Sequence, residues 1–300
     1  MRVNSLQTRQ RMYDRTLGYL LIAPAAVVIF GVVGFPFVNA LFLSFTHKVV
    51  GSQAQFTGLS NYFKIFSDPE YWKVLKNTLI FTVTTVVFKL VFGLILAVVL
   101  NESFFGRSVI RMLLLIPWAL SGMVAAMTWK WMFDDTYGII NSLLLGWGIV
   151  PAPVPWLSGV NMALFSVIIV NIWRGIPFFM FSLLGGLQTI DKGMYEAARM
   201  DGAGAIRQFF FITVPSIMPV ILISTLLSTI WTFNDFENIY LITGGGPLHA
   251  SAVISTYTYE MAFMQNDFGK ATAVAASIIP LLILLIFFST RKMDRDHEGR

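Results

Sequence analysis

The 300-residue sequence contains no cysteine, which excludes a disulfide framework and any thiolate metal centre. Histidine is nearly as scarce: His47, His249 and His297 are scattered over loops and a tail, and form no metal-ligand constellation. Charge is thin, with Asp, Glu, Lys and Arg together only 12% of the chain, against about 25% in a soluble domain. The phosphate loop GxxxxGK[ST] is missing too. The one glycine cluster, Thr243-Gly244-Gly245-Gly246-Pro247, has no lysine after it, so it reads as a flexible turn or docking lip rather than a nucleotide site.

What is present is apolar, 56% of all residues. Runs near or beyond the roughly 20 residues needed to cross a bilayer occur at about Leu17 to Phe45, Asn77 to Leu100, Val109 to Phe133, Met162 to Leu187, Ser216 to Ile239 and Ala271 to Ser289. The expectation is an all-α integral membrane protein of six spans, with tails at 1–16 and 290–300 flanking a membrane domain at 17–289. No remaining segment is long enough for a second globular domain. Val38-Asn39-Ala40 faintly resembles a signal-peptidase site, but the first run is far longer than a cleavable core of about 7 to 15 residues.

Basic residues are retained on the cytoplasmic side. Arg2, Arg9, Arg11, Arg15, Arg107, Arg111, Lys192, Arg199, Arg207, Arg291, Lys292, Arg295 and Arg300 fall in the tails and in the links after the second and fourth runs. The opposite segments hold only Lys48, Lys64, Lys73, Lys76, Lys130 and Lys270. Both termini are therefore expected in the cytoplasm. Membrane topology accounts for the net charge of +5, and nothing points to nucleic acid.

Polar residues inside the runs are the candidate functional groups. Lys89, near the middle of the second run, would cost about 2.5–3.5 kcal/mol facing lipid. It is expected to face protein or a wet cavity, touching a solute or a carboxylate, or else bonding backbone carbonyls or snorkelling. Arg174 lies in Asn171-Ile172-Trp173-Arg174-Gly175-Ile176-Pro177-Phe178, where Gly175 and Pro177 predict a helix broken at mid-depth. Arg174 suits either a solute cavity or a buried ion pair. Ser228, Trp231, Thr232 and Asp235 recur at i, i+3, i+4 and i+7, one helix face. That stripe fits a sugar, its ring on Trp231 and its hydroxyls on the polar groups; it fits helix packing with a capped, wet end equally well.

The segment Tyr195 to Pro219 is a polar, glycine-punctuated connector between two apolar runs. Its composition predicts two short helices with a bend at Gly202 and a new helix opened by Pro215. Physics alone leaves it as an amphipathic interfacial pair or a docking surface. Its order is more specific: Glu196-Ala197-Ala198, three residues, Gly202, nine residues, Ile212, one residue, then Val214-Pro215 resembles the EAA loop of ABC importer permeases, with valine where that pattern has leucine.

The resemblance extends along nearly the whole chain, through Trp173-Arg174-Gly175-Ile176-Pro177-Phe178 and Phe233-Asn234-Asp235-Phe236 into Thr243-Gly244-Gly245-Gly246-Pro247. It is to the first-permease type of carbohydrate ABC importers, similar to the maltose and glycerol-phosphate permease families. That implies a type I importer permease fold with a cytoplasmic coupling loop at about 190–212, in a bacterial or archaeal plasma membrane. The implied partners are a second related permease, two copies of a cytoplasmic ABC ATPase and an extracytoplasmic solute-binding protein.

On this resemblance the chain is a non-catalytic subunit, ATP and magnesium belonging to the ATPase, with Glu196, Ala197, Ala198, Arg199, Asp201 and Gly202 as coupling residues. Positions matching the maltose permease's sugar site are Asn171, Ile172, Arg174, Gly175 and Phe178 on one helix and Ser228, Trp231, Thr232 and Asp235 after it. Arg174 replaces an apolar residue there and Asp235 an amide. The implied solute is a sugar or oligosaccharide, with an anionic sugar or glycerol phosphoester as the alternative. An ion-coupled secondary transporter is the distant rival; it would want an intramembrane carboxylate relay or repeated half-helices.

Overall fold

The structure is a computed structural model that describes residues 17–284, 286–287 and 291. The N-terminal tail, the end of the sixth apolar run and all of the C-terminal tail except Arg291 lie outside the described residues. The chain divides into two compact units, residues 1–65 with 261–276, and residues 66–260 with 277–300.

In the first unit, α1 (Leu17–Ser44) is apolar on every side and largely exposed, the pattern of a helix solvated by lipid. Its middle, Ile29–Gly34, is wound as a π-helix just before Pro36. Proline has no N–H to return to the preceding turn, and a wider turn accommodates that gap. A small antiparallel pair follows, β1 (Thr46–His47) with β2 (Gln55–Phe56). Next comes α2 (Ser60–Phe66). The buried Asn61 side chain donates to the carbonyls of Ser44 at 3.0 Å and Thr46 at 2.8 Å, closing the exit of α1.

The second unit begins with α3 (Pro69–Asn101), started by Asp68, whose carboxylate accepts the Glu70 N–H at 3.0 Å. Its 33 residues make about 50 Å at roughly 1.5 Å each, two turns beyond the span expected from Asn77. The third run is not one helix. It forms α4 (Arg107–Ala119) and α5 (Gly122–Met132), bent by 92°. Pro117 removes a hydrogen bond from the last turn of α4, and Leu120 and Ser121 turn extended before Gly122 restarts the helix. After α6 (Ile139–Gly146) comes α7 (Ala163–Leu187), which runs straight through Pro177. The expected break there does not occur, because α7 is held along its length by α3, its most extensive helix neighbour.

The connector after α7 contains α8 (Lys192–Met200). The expected second short helix is not separate: Ala205–Gln208 continues through a π-turn at Phe209–Thr213 into the next span, giving α9 (Ala205–Phe233). Pro215 thus follows a π-turn within a helix rather than opening one. Two short helices, α10 (Glu237–Ile242) and α11 (Ile254–Tyr259), follow, then the apolar α12 (Phe268–Leu284). Among the described residues, α1, α3, α7 and α9 are long and apolar enough to cross a membrane; the α4–α5 pair makes a fifth crossing if counted together.

Helices α3 and α7 meet at Gly93, where a Cβ would lie 2.4 Å from the Phe179 Cβ. Two dry clusters form around this pair. One contains Phe81, Val167, Val170, Ile239 and Ile242; the other contains Val86, Ala97, Phe179, Leu183 and Ile217.

Two of the loops are cross-tied by buried side chains. Buried Asn141 donates to the carbonyls of Asp135 and Val154 and accepts from Val154 N–H and the Trp156 indole, so 134–161 is cross-tied. The glycine cluster is not slack either. Ser251 Oγ donates to the Gly246 carbonyl at 2.6 Å, and Asn77 donates to the carbonyls of His249, Ala250 and Ala252. The His249 ring lies between Glu70 at 2.7 Å and Glu260 at 2.8 Å.

Candidate functional site

Side chains from α3, α4, α7 and α9 and from the residues just beyond α9 line a polar, partly open cavity of about 250 Å³. Lys89 comes from α3, Asn171, Arg174, Gly175 and Phe178 from α7, and Ser228, Trp231, Thr232 and Asp235 from α9 and its end. Nine of the ten residues singled out as solute contacts therefore share one wall. Ile172 does not line it; the side chain packs on the dry cluster around Val167 and Ile239, because it lies off the helix face that carries Asn171, Arg174, Gly175 and Phe178.

Lys89 is 5% exposed, and its Nζ donates to Thr232 Oγ1 at 3.0 Å. Its stem reaches there across Gly175, where a Cβ would come within 2.4 Å of Lys89 Cε. Glycine in α7 is thus a passage for the lysine rather than a helix breaker. Neither a backbone carbonyl nor an exit toward the membrane surface is needed to explain this cation.

Asp235 lies outside α9, which ends at Phe233 with Asn234 as its cap. The carboxylate still faces the cavity because it is held from both sides. Asn171 Nδ2 donates to Asp235 Oδ2 at 2.6 Å and Asn238 Nδ2 donates to the same atom at 2.7 Å. A carboxylate only accepts, so each amide must turn its nitrogen inward. Both Oδ1 atoms are left buried without a partner. An acceptor in that state costs about 1–3 kcal/mol until something donates to it.

Arg174 Nη1 stands 3.9 Å from Glu237 Oε2 at the start of α10. Gly122, the first residue after the α4–α5 bend, is wedged against both: a Cβ there would lie 2.0 Å from Glu237 Oε2 and 2.8 Å from Arg174 Nη1. Trp231 is half exposed and packs edge-on against Phe178, centroids 5.0 Å apart. Trp118, from the last turn of α4, also lines the cavity. The arrangement offers aromatic faces, hydroxyls and fixed acceptors, the groups that orient a hydroxylated solute.

Sequence reasoning missed Trp118, Asn238 and the pairing of Glu237. Asn238 is one turn from Asp235 in sequence, a signal that was available once the helix was known to restart at Glu237. Trp118 carried only the adjacent Pro117 as a hint.

The second candidate region is α8 and the turn after it. Asp191 caps α8 by accepting the Gly193 N–H at 2.9 Å. Gly202 is left-handed at φ +78°, with Gly202 N–H bonded to the Arg199 carbonyl and Ala203 N–H to the Ala198 carbonyl, a Schellman close. Tyr195 and Thr213 share a 2.9 Å hydroxyl bond that ties α8 to the foot of α9. Glu196, Ala197, Arg199, Asp201 and Gly202 are exposed, and Ala198 is half buried.

Similarity to known proteins agrees with this architecture. The family model described as "Binding-protein-dependent transport system inner membrane component" matches residues 89–295. A probable ABC transporter permease protein, y4oQ of Sinorhizobium fredii, is 36% identical over 274 residues, 90% of this chain and 87% of that one. The trehalose/maltose transport system permease protein of Thermococcus litoralis is 34% identical over 285 residues, covering 95% of each chain. The sulfoquinovosyl glycerol transport system permease protein of Agrobacterium fabrum is 34% identical over 281 residues, 91% of this chain and 90% of that one. In fold, a chain of a bacterial ABC transporter involved in the import of the acidic polysaccharide alginate superposes with a TM-score of 0.83 at 21% identity, covering 96% of this chain and 99% of the other. The chain, with its long apolar helices and polar cavity, belongs to the binding-protein-dependent transport system inner membrane component family and is an ABC transporter permease.

Proposed function

We propose that this chain forms the translocation path for a sugar or oligosaccharide in an ATP-driven importer. It works beside a second permease, two ATPase subunits and an extracytoplasmic binding protein. The observation that carries the reading is the cavity itself: hydroxyls, a fixed carboxylate and aromatic faces line one pocket. A relative named for trehalose and maltose supports the solute class. A structure of the alginate transporter with its pentasaccharide-bound periplasmic protein supports the expected assembly.

Both termini and the Glu196 segment are assigned to the cytoplasm, on the distribution of Lys and Arg. Closure of the ATPases on nucleotide moves α8, and the hydroxyl tie from Tyr195 to Thr213 passes that motion to the foot of α9. The upper end of α9 carries Ser228, Trp231 and Thr232, so a tilt of the helix re-aims one wall of the cavity. ATP hydrolysis is the partner's chemistry; Glu196, Ala197, Ala198, Arg199, Asp201 and Gly202 contribute contact and leverage.

The test is uptake by the complete transporter in proteoliposomes, with and without internal ATP. ATP-dependent carbohydrate accumulation that is lost in Glu196→Lys, with the permease still inserted, is the expected result. Full uptake in that variant, or uptake driven by an ion gradient without ATP, overturns the proposal.

A further inference from the structure

Two cations in a solute cavity suggest an anionic cargo, and the alginate transporter of similar fold handles an acidic polysaccharide. The geometry points to the opposite for this chain: we infer that the cavity is charge-compensated and selects a neutral, hydroxyl-donating carbohydrate. This rests on the carbohydrate-importer reading above and narrows its solute class.

Four charged groups decide it. Arg174 is faced by Glu237 at 3.9 Å, and the Gly122 backbone leaves no room for Glu237 to retreat in that direction. Lys89 is committed to Thr232 and shares the cavity with the Asp235 carboxylate. Two positive and two negative groups sum to zero. An incoming carboxylate or phosphate would meet cations that are already opposed, by the Asp235 carboxylate in the lining and by Glu237 beside Arg174.

The hydrogen-bonding inventory points the same way. Asn171 Oδ1 and Asn238 Oδ1 are buried acceptors without partners, and the residues carrying them are 7% and 2% exposed. Both atoms are closed off from the cavity, so what faces the solute is the carboxylate that the two amides brace. Asp235 is a fixed acceptor in the lining, to which a sugar hydroxyl can donate, whereas an ionised carboxylate or phosphate group offers it only another acceptor. The volume, about 250 Å³, admits a sugar ring. Trp231 and Trp118 give such a ring apolar faces to lie on.

The experiment uses the complete transporter with its binding protein in proteoliposomes, offered one mixture of neutral oligosaccharides, uronate-containing oligosaccharides, amino-sugar oligosaccharides and glycerol 3-phosphate. Luminal contents are read by mass spectrometry with and without ATP. Neutral oligosaccharides accumulating in preference to every charged class is the expected result. Glu237→Gln uncovers Arg174 and should shift the ratio of acidic to neutral uptake upward by about tenfold. Gly122→Ala, which displaces Glu237, should shift it in the same direction, and Glu237→Asp, which keeps the charge, should restore the original ratio. Preferential accumulation of uronates, phosphoesters or amino sugars by the unmodified protein overturns the inference, as does an unchanged ratio in Glu237→Gln protein that still assembles. Absence of any ATP-dependent carbohydrate uptake instead overturns the importer reading on which it rests.

Discussion

Two polar, glycine-bearing connectors of this chain look alike as text and differ as structure. The segment 191–204 presents Glu196, Arg199, Asp201 and Gly202 to the outside and is tied down at its edges, by Asp191, Tyr195 and the turn at Gly202. The segment 243–252 is bonded throughout. Lys73 reaches the Leu248 carbonyl at 2.5 Å, Asn77 serves three further carbonyls, and His249 is held between two carboxylates. Exposed charge on a well-capped short helix leaves its side chains free of the scaffold, as the proposed coupling role of α8 requires. Charge consumed by backbone carbonyls is part of the scaffold, and it fixes the loop that follows α10 to the start of α3.

The comparison can be broken by substitutions that act on one connector and not the other. The largest effect is expected at Glu196: reversal to lysine should lower ATP-driven uptake at least about 30-fold, the size of a loss at an interface hot spot, with an unchanged melting midpoint. A fall in the midpoint would make α8 scaffold as well. Next, Asn77→Ala strips three carbonyls of 243–252 of their donor. It should cost about 1–3 kcal/mol, read as a lower thermal midpoint of the detergent-solubilised protein. An unchanged midpoint would return this loop to the class of slack turns.

A smaller change is expected for Gly202→Ala. Forcing a Cβ into φ +78° costs about 1–2 kcal/mol and loosens the Schellman close. Uptake should fall by roughly fivefold, in line with about 1 kcal/mol, and Gly202→Asn should fall less. The smallest effect is a pH response at the turn after α5. The backbone N–H groups of Tyr137 and Thr136 hold the Asp134 carboxyl below its ordinary value. Its contribution is present above the usual aspartate value of about 3.9 and is lost as pH falls through the lowered one. Amide exchange at Thr136 and Tyr137 should accelerate only in that acidic window, and Asp134→Asn should remove the response.

Part of the site was legible in the residues. A lysine and an arginine inside apolar runs must face something polar, and the stripe Ser228, Trp231, Thr232 has helical spacing, so those members followed from pattern, while Asn171, Gly175 and Phe178 were named as solute contacts only through the family resemblance. What pattern misjudged were the helix boundaries. Pro177 was expected to break α7, yet packing along α3 holds it continuous; Pro117 was unremarked, yet α4 ends beside it. Asp235 was placed on the same helical face as Trp231, and it reaches the cavity from beyond the end of α9. Proline sets the local preference, but the neighbouring helix decides whether the lost hydrogen bond produces a bend.

By itself the sequence determined the class of the protein: apolar runs of membrane length, basic residues on alternate links, and an ordered Glu196 to Pro215 motif that resembles a coupling loop. Each of these depends on residue type and spacing along the chain, which no folding is needed to read. Tertiary structure alone decided how the charges pair. Arg174 and Glu237 are 63 positions apart, and Asn171 and Asp235 are 64 apart; only the packing of α7 against the end of α9 and the start of α10 brings these partners together. Whether a cation in a cavity is available to a solute or already neutralised is a matter of ångströms between remote residues, and one-dimensional order carries no distances.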